Sequence, residues 1–172
     1  MKTLFFFITT LLVTSVLSAQ SISEDRYEIS FKVSNTAFNS VRGTLQGMTG
    51  NVDFNKDEPG KSIFDICLEA ATINTGNNKR DEHLRTEDFF HVSVFPTICF
   101  QSESISKAAN QYEVKGDLTM HGISKSVIIP FEYNKNKLQG ELVIDRQAFE
   151  VGGNSLLVGD EVEIQIEFFI NR

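Results

Sequence analysis

Residues 161–170 read Glu-Val-Glu-Ile-Gln-Ile-Glu-Phe-Phe-Ile, and this stretch decides the fold. Val162, Ile164, Ile166, Phe168 and Ile170 occupy alternate positions, with Glu161, Glu163, Gln165 and Glu167 between them. A period of two puts the apolar side chains on one face of an extended strand and the acids on the other. A helix would need a period near 3.6, so this segment is a strand with one buried face.

The same pattern recurs through the rest of the chain. Tyr27, Ile29, Phe31 and Val33 share one face; Phe64, Ile66 and Leu68 alternate with Asp65, Cys67 and Glu69. Ile98 and Phe100 follow, then Tyr112, Val114, Gly116, Leu118 and Met120, then Val127, Ile129, Phe131 and Tyr133, then Leu138, Gly140, Leu142 and Ile144. Val52 and Phe54 predict a short strand after Gly43, Gly47 and Gly50. Polar turn residues separate the runs at 55–60 and 134–136. Pro130 inside a strand pattern predicts an edge, a bulge or a strand end. About eight strands with short connections and no regular intervening helices predict a single antiparallel barrel or sandwich and exclude a parallel α/β fold.

One segment departs from the alternation. Residues 75–95 are dense in charge, and Asn77 or Asn78 can cap a short helical excursion over about 77–90 with Asp81 and Glu82 in its first turn. Phe89 and Phe90 would anchor it to the barrel. The two cysteines, Cys67 and Cys99, lie on the faces opposite their strands' apolar rows. A disulfide between them across the excursion would stabilise the fold by about 3–4 kcal/mol if the two strands are neighbours. Two free thiols on strands that never meet is the other reading.

The amino terminus reads as a secretory leader. Lys2 precedes an uncharged stretch from Leu4 to Leu17 that contains Phe5, Phe6 and Phe7; Ser18 and Ala19 supply small residues before Gln20. Residues 1–19 are expected to be cleaved, leaving 20–172 as one domain in a periplasmic or secreted setting, without stable membrane insertion. An oxidising compartment suits a disulfide. Cleavage removes only Lys2 among the charged residues, so the remaining domain is one charge more acidic than the −7 of the full chain. Such acidity disfavours nucleic acid, whose phosphates require a basic footprint.

Catalytic patterns are missing. No G-x-S-x-G elbow is present, the early glycines do not form a phosphate-cradling loop, and no spacing brings two carboxylates together. The histidines are His83, His91 and His121; His121, at a strand end between Met120 and Gly122, either donates a hydrogen bond at the barrel mouth or serves the turn structurally. Asp81, His83 and His91 would be the ligands of a metal-dependent enzyme, but they lack the spacing of zinc motifs, and a solvated helix face accounts for them better. No enzyme activity, cofactor or metal is therefore expected. An eight-stranded barrel can either fill with side chains or hold one small ligand. Strands of about ten residues span about 33 Å, and at a tilt of about 40° the axial length is near 25 Å, suited to a long thin hydrocarbon. Each buried CH₂ contributes about 0.8 kcal/mol, so apolar lining alone could hold such a chain.

Two ordered motifs carry a resemblance. Thr75-Gly76, Arg80-Asp81, His83-Leu84, Phe89-Phe90 and Phe95-Pro96 form the first; Gly116, Leu118, Thr119, His121 and Gly122 form the second. Together they resemble the YceI family of lipocalin-like, polyisoprenoid-binding proteins. The resemblance implies an all-β, lipocalin-like barrel whose interior takes an isoprenoid chain, such as that of a polyprenyl phosphate or a quinone, in an exported, non-catalytic protein. Many relatives carry a His near the first strand, where this chain has Asn35. The residues then expected near a ligand are Phe31, Phe64, Ile66, Arg80, His83, Phe89, Phe90, Phe100, Leu118 and His121, with Arg80 and His83 at the head group; the other reading of the polar signature residues is that they fix the excursion at the barrel mouth. A filled-core barrel working through its surface is the competing expectation. The oligomeric state, a homodimer included, is left open.

Overall fold

The computed structural model describes residues 22–23, 26–35, 40–154 and 158–170. The leader and its cleavage site lie outside these residues, as does the side chain of Asn35. Eight strands follow one another in chain order: β1 Tyr27–Asn35, β2 Ser40–Asp53, β3 Ile63–Asn74, β4 Thr97–Ala108, β5 Gln111–Met120, β6 Ile123–Asn134, β7 Lys137–Asp145 and β8 Val158–Phe169. Each pairs antiparallel with the next, and β8 returns to β1, so the sheet closes into a barrel. Among the described residues no helix is long and apolar enough to cross a membrane.

The alternating apolar rows all face inward. Ile29, Leu45, Leu68, Ile98, Phe100, Val114, Leu118, Ile129, Phe131, Leu142 and Ile144 are buried, each contributed by a residue parity that points into the ring. The outer face carries cross-strand ion pairs such as Lys32–Glu163 at 2.9 Å and Lys137–Glu167 at 2.8 Å. A hydrogen bond from Lys137 holds the Glu167 carboxyl below the usual glutamate range against the opposing effect of burial, with a lesser contribution from the Gln139 amide.

Tight turns close the hairpins. The β5–β6 turn is His121–Gly122, with φ of +52° and +76°, and the β6–β7 turn is Lys135–Asn136, with +47° and +67°. Two successive left-handed residues match the right-handed twist of the flanking strands.

Three sequence expectations need correction. β2 is not a short strand after the glycines; it runs for 14 residues and contains all three. Gly47 (φ +67°) and Gly50 (φ +114°) occupy conformations that side-chain-bearing residues rarely adopt, in a stretch where the β2–β3 register shifts. The Thr72 hydroxyl stitches one such irregularity, accepting from the Gln46 N–H at 2.9 Å and donating to the Glu69 carbonyl at 2.6 Å. The excursion's helix, α1, spans only Asn78–Leu84, after which residues 85–96 fold back through turns. Finally, α1 is not a fully solvated face, because Asp81 is only 4% exposed.

Candidate functional site

The barrel is hollow. A cavity of about 510 Å³ runs through it, within the range of about 300–1,000 Å³ common for small-molecule sites. The filled-core expectation therefore does not describe the interior. Aliphatic and aromatic side chains from all eight strands line the wall, Ile66, Phe100, Leu118, Ile164 and Ile166 among them. Inward glycines create room: a Cβ on Gly43 would lie 2.5 Å from the ring of Phe31, its partner across β1–β2. The ring thus lies over a glycine instead of filling the centre of the barrel.

The two ends of the cavity differ. At the end that carries the 135–136 turn, five aromatics form a floor. Phe54 stands edge-on to Tyr112 and Phe131, with centroids 5.0 and 5.5 Å apart, and Tyr112 stacks on Phe131 at 5.4 Å. Tyr133 and Phe64 complete the cluster. At the other end the excursion and residues 146–154 form the mouth, and the polar side chains Ser34, Arg80, His83 and Arg146 line the cavity there.

The excursion is held by a lock centred on Thr75. Its hydroxyl accepts from Arg80 Nε at 2.7 Å and donates to the Asp81 carboxylate. Its N–H also donates to Asp81 at 2.9 Å, and its carbonyl accepts from Arg80 Nη2 at 3.0 Å. The Asn77 side chain caps α1 by accepting from the Arg80 N–H. Asp81 can therefore stay buried because both groups of Thr75 satisfy it. Arg80 Nη1 makes no hydrogen bond among the described residues. His83 pairs with Asp88 at 3.2 Å and stands edge-on to Phe89 at 5.0 Å. Arg85 donates to the Ala71 and Ile73 carbonyls, tying the excursion to β3.

Of the ten residues anticipated near a ligand, nine line the cavity: Phe31, Phe64, Ile66, Arg80, His83, Phe89, Phe90, Phe100 and Leu118. His121 does not. It sits in the β5–β6 turn with its ring 4.7 Å from Phe95, and its buried Nδ1 finds no hydrogen-bond partner among the described residues. Phe95 also covers Gly122, where a Cβ would lie 2.6 Å from the ring. The two sequence motifs thus pack against each other and fix the excursion. Cys67 and Cys99 face each other in the β3–β4 register and are joined by a disulfide on the outer side of the wall. Asp81, His83 and His91 do not assemble into a metal-ligating group among the described residues.

Arg146 was not anticipated. It is 5% exposed, and its guanidinium donates to the carbonyls of Val151, Gly152, Gly153, Val158 and Gly159 and to Asp160 at 2.8 Å. It organises the second half of the rim. Gly152, with φ of +72°, lets Phe89 of the excursion rest against that half; a Cβ there would lie 2.6 Å from the Phe89 ring. Only the placement of Arg146 two residues after Ile144, at the next inward position of that apolar row, hinted at a role.

Comparison with known proteins places these features in context. The model of the YceI-like domain family matches residues 21–169. A protein of Photorhabdus laumondii, UPF0312 protein plu2095, is 30% identical over 104 residues, covering 60% of this chain and 54% of that one. Protein YceI of Escherichia coli is 26% identical over 101 residues, covering 59% and 53%. The chain thus spans about half the length of the curated relatives it matches. Among solved structures, Burkholderia cenocepacia BcnA superposes with a TM-score of 0.77 at 24% identity, covering 84% of this chain and 96% of that one. A polyisoprenoid binding domain from Saccharophagus degradans gives 0.60 at 11% identity, covering 83% and 92%. At these identities the structural likeness is one of fold.

Proposed function

Because the chain belongs to the YceI-like domain family, we propose that it is an exported carrier that holds the hydrocarbon chain of an isoprenoid or similar lipid inside its barrel, without catalysing a reaction. The observation that carries this reading is the segregation of the cavity's lining: apolar along the wall and over the floor, with Arg80, His83, Arg146 and Ser34 at the mouth. That is the mirror image of an amphiphile with a long apolar tail and one polar head. The structural neighbour described as a polyisoprenoid binding domain points to the same ligand class. The leader-like residues 1–19 support export to the periplasm or beyond.

The head group would meet Arg80 and His83. Arg146 spends its donors on carbonyls and Asp160, whereas Arg80 keeps Nη1 free of partners among the described residues. A charged donor there favours an anionic head, such as the phosphate of a polyprenyl phosphate, over the neutral ring of a quinone.

Organic extraction and mass spectrometry of protein purified from its native host tests the reading. A co-purifying prenyl lipid is the expected result. Protein that is empty as isolated and also fails to take up farnesyl phosphate or a long-chain quinone would overturn it. A second measurement uses Leu118→Trp, which fills part of the cavity: affinity for the extracted lipid should fall at least about tenfold, or about 1.4 kcal/mol, while the barrel stays folded.

A further inference from the structure

The β6–β7 join is the shortest ladder in the barrel. It runs from Asn134–Lys137 beside the turn only as far as Phe131–Gly140. The same register would next set Pro130 against Glu141, and two steps further Ile128 against Val143, but these pairs are not made. β6 nevertheless stays with β5 down to Ile123, and β7 stays with β8 down to Asp145. From a vertex at Pro130 and Gly140 toward the mouth, the facing edges of β6 and β7 make no ladder pairs among the described residues. No side-chain hydrogen bond crosses between Ile123–Pro130 and Glu141–Asp145 among the described residues. Pro130 brings no N–H to this vertex, and Gly140 brings no side chain.

The chemistry along this seam is apolar on both sides. Its outer lips are Ile128 and Val143, 56% and 53% exposed, which would be cross-strand partners if the ladder continued. Its inner borders, Ile129, Leu142 and Ile144, line the cavity. Apolar side chains therefore stand on both the outer and the inner side of the wall along this unpaired stretch. The mouth by contrast is crossed by Phe89 lying against Gly152, and each of those segments is fixed by its own arginine web.

We propose that the β6–β7 seam is a side portal through which a hydrocarbon chain passes between an apolar phase and the cavity, its head remaining at the mouth end. This inference rests on the carrier reading above. Parting the seam further disturbs no pairing beyond the short ladder at its vertex, whereas opening the mouth would break the Thr75–Arg80–Asp81 lock or the carbonyl web of Arg146.

The test links the lips covalently. In the Ile128→Cys/Val143→Cys double variant of the full chain, a disulfide or a short bismaleimide bridge joins the two strands; the native cysteines are already paired and do not react. The probe is a dansyl-labelled undecanoic acid, offered in solution and from phosphatidylcholine vesicles. Unlinked protein should bind it with wild-type affinity. Linked protein should reach the same equilibrium within about twofold, while loading and release both slow by about tenfold or more. Unchanged rates after linking would overturn the portal and assign passage to the mouth. Failure of the unlinked and wild-type proteins to bind at all would instead overturn the carrier reading. Should the double cysteine variant not fold, Ile128→Lys with Val143→Lys replaces it: charged lips should slow transfer from vesicles several-fold, and wild-type rates would again overturn the portal.

Discussion

The two joins with the fewest paired residues, β3–β4 and β6–β7, are built in opposite ways. Between β3 and β4 the pairs run from Asp65–Gln101 to Glu69–Thr97. Beyond that point the edge of β3 is covered: the Ala70 N–H donates to Pro96, and Arg85 takes the carbonyls of Ala71 and Ile73. The Cys67–Cys99 disulfide bolts the join from outside. Between β6 and β7 the ladder ends at Phe131–Gly140, with neither a covering side chain nor a covalent bond among the described residues. The end of the cavity that carries the excursion is thus clamped on its β3–β4 side, while on its β6–β7 side the ladder stops without such cover among the described residues. Rigidity has been placed where the head of an amphiphile would sit.

The largest test of this contrast removes the bolt. Cys67→Ser/Cys99→Ser should cost about 3–4 kcal/mol of stability in urea melts, the loop-entropy value for a closure of this size. Amide exchange in β3 and β4 should accelerate, and exchange along the unpaired β6–β7 edges should not change. Equal acceleration at both joins would erase the distinction.

Next in size is the lock. Asp81→Ala leaves the Thr75 N–H and hydroxyl without their acceptor and should cost about 2 kcal/mol, since hydrogen bonds to charged groups are worth about 1.5–3 kcal/mol. Asp81→Asn should lose less. Arg85→Ala should follow at about 1–2 kcal/mol by uncovering two β3 carbonyls, and it should make β3 exchange as the seam does. A loss too small to resolve in denaturation would show that water covers that edge equally well.

The smallest effect concerns how β7 is held on its other side. Glu167→Gln should cost less than about 1 kcal/mol, because the Lys137–Glu167 pair remains partly exposed. The folded state holds this carboxyl below its ordinary value, so its contribution is present above the unfolded pKa and fades as pH falls through the lowered folded one. Stability curves of wild type and variant should therefore converge in acid. If they stay parallel, Glu167 does not secure β7 to β8.

Much of this could be read from residue order because strand patterning is local. Val162 to Phe168 need only their neighbours to show which face is inside, and the polar turns needed only a few residues to mark each hairpin. The outward parity of Cys67 and Cys99 was equally visible, although their direct opposition depends on the β3–β4 register. What escaped was set by contacts that no strand or turn pattern announces. Gly43 suggests a break in β2 until the ring of Phe31, on the adjacent strand, is seen above it. Arg146 looks like an ordinary surface charge until five carbonyls converge on it from residues 151–159. For His121 the sequence left open a role at the mouth or in the turn, and the left-handed turn geometry and the contact with Phe95 place it in the turn.

The sequence by itself determined that the chain forms antiparallel strands, which side chains face inward, and where the helical excursion interrupts them. Those properties follow from a period of two and from the chemistry of turns. Only the tertiary structure decided that the interior is hollow, that its polar side chains gather at one end, and that the β6–β7 ladder stops at Phe131–Gly140. A cavity is the difference between the ring's circumference and the side chains from eight strands, and a seam is the difference between two registers. Neither quantity belongs to any one stretch of chain.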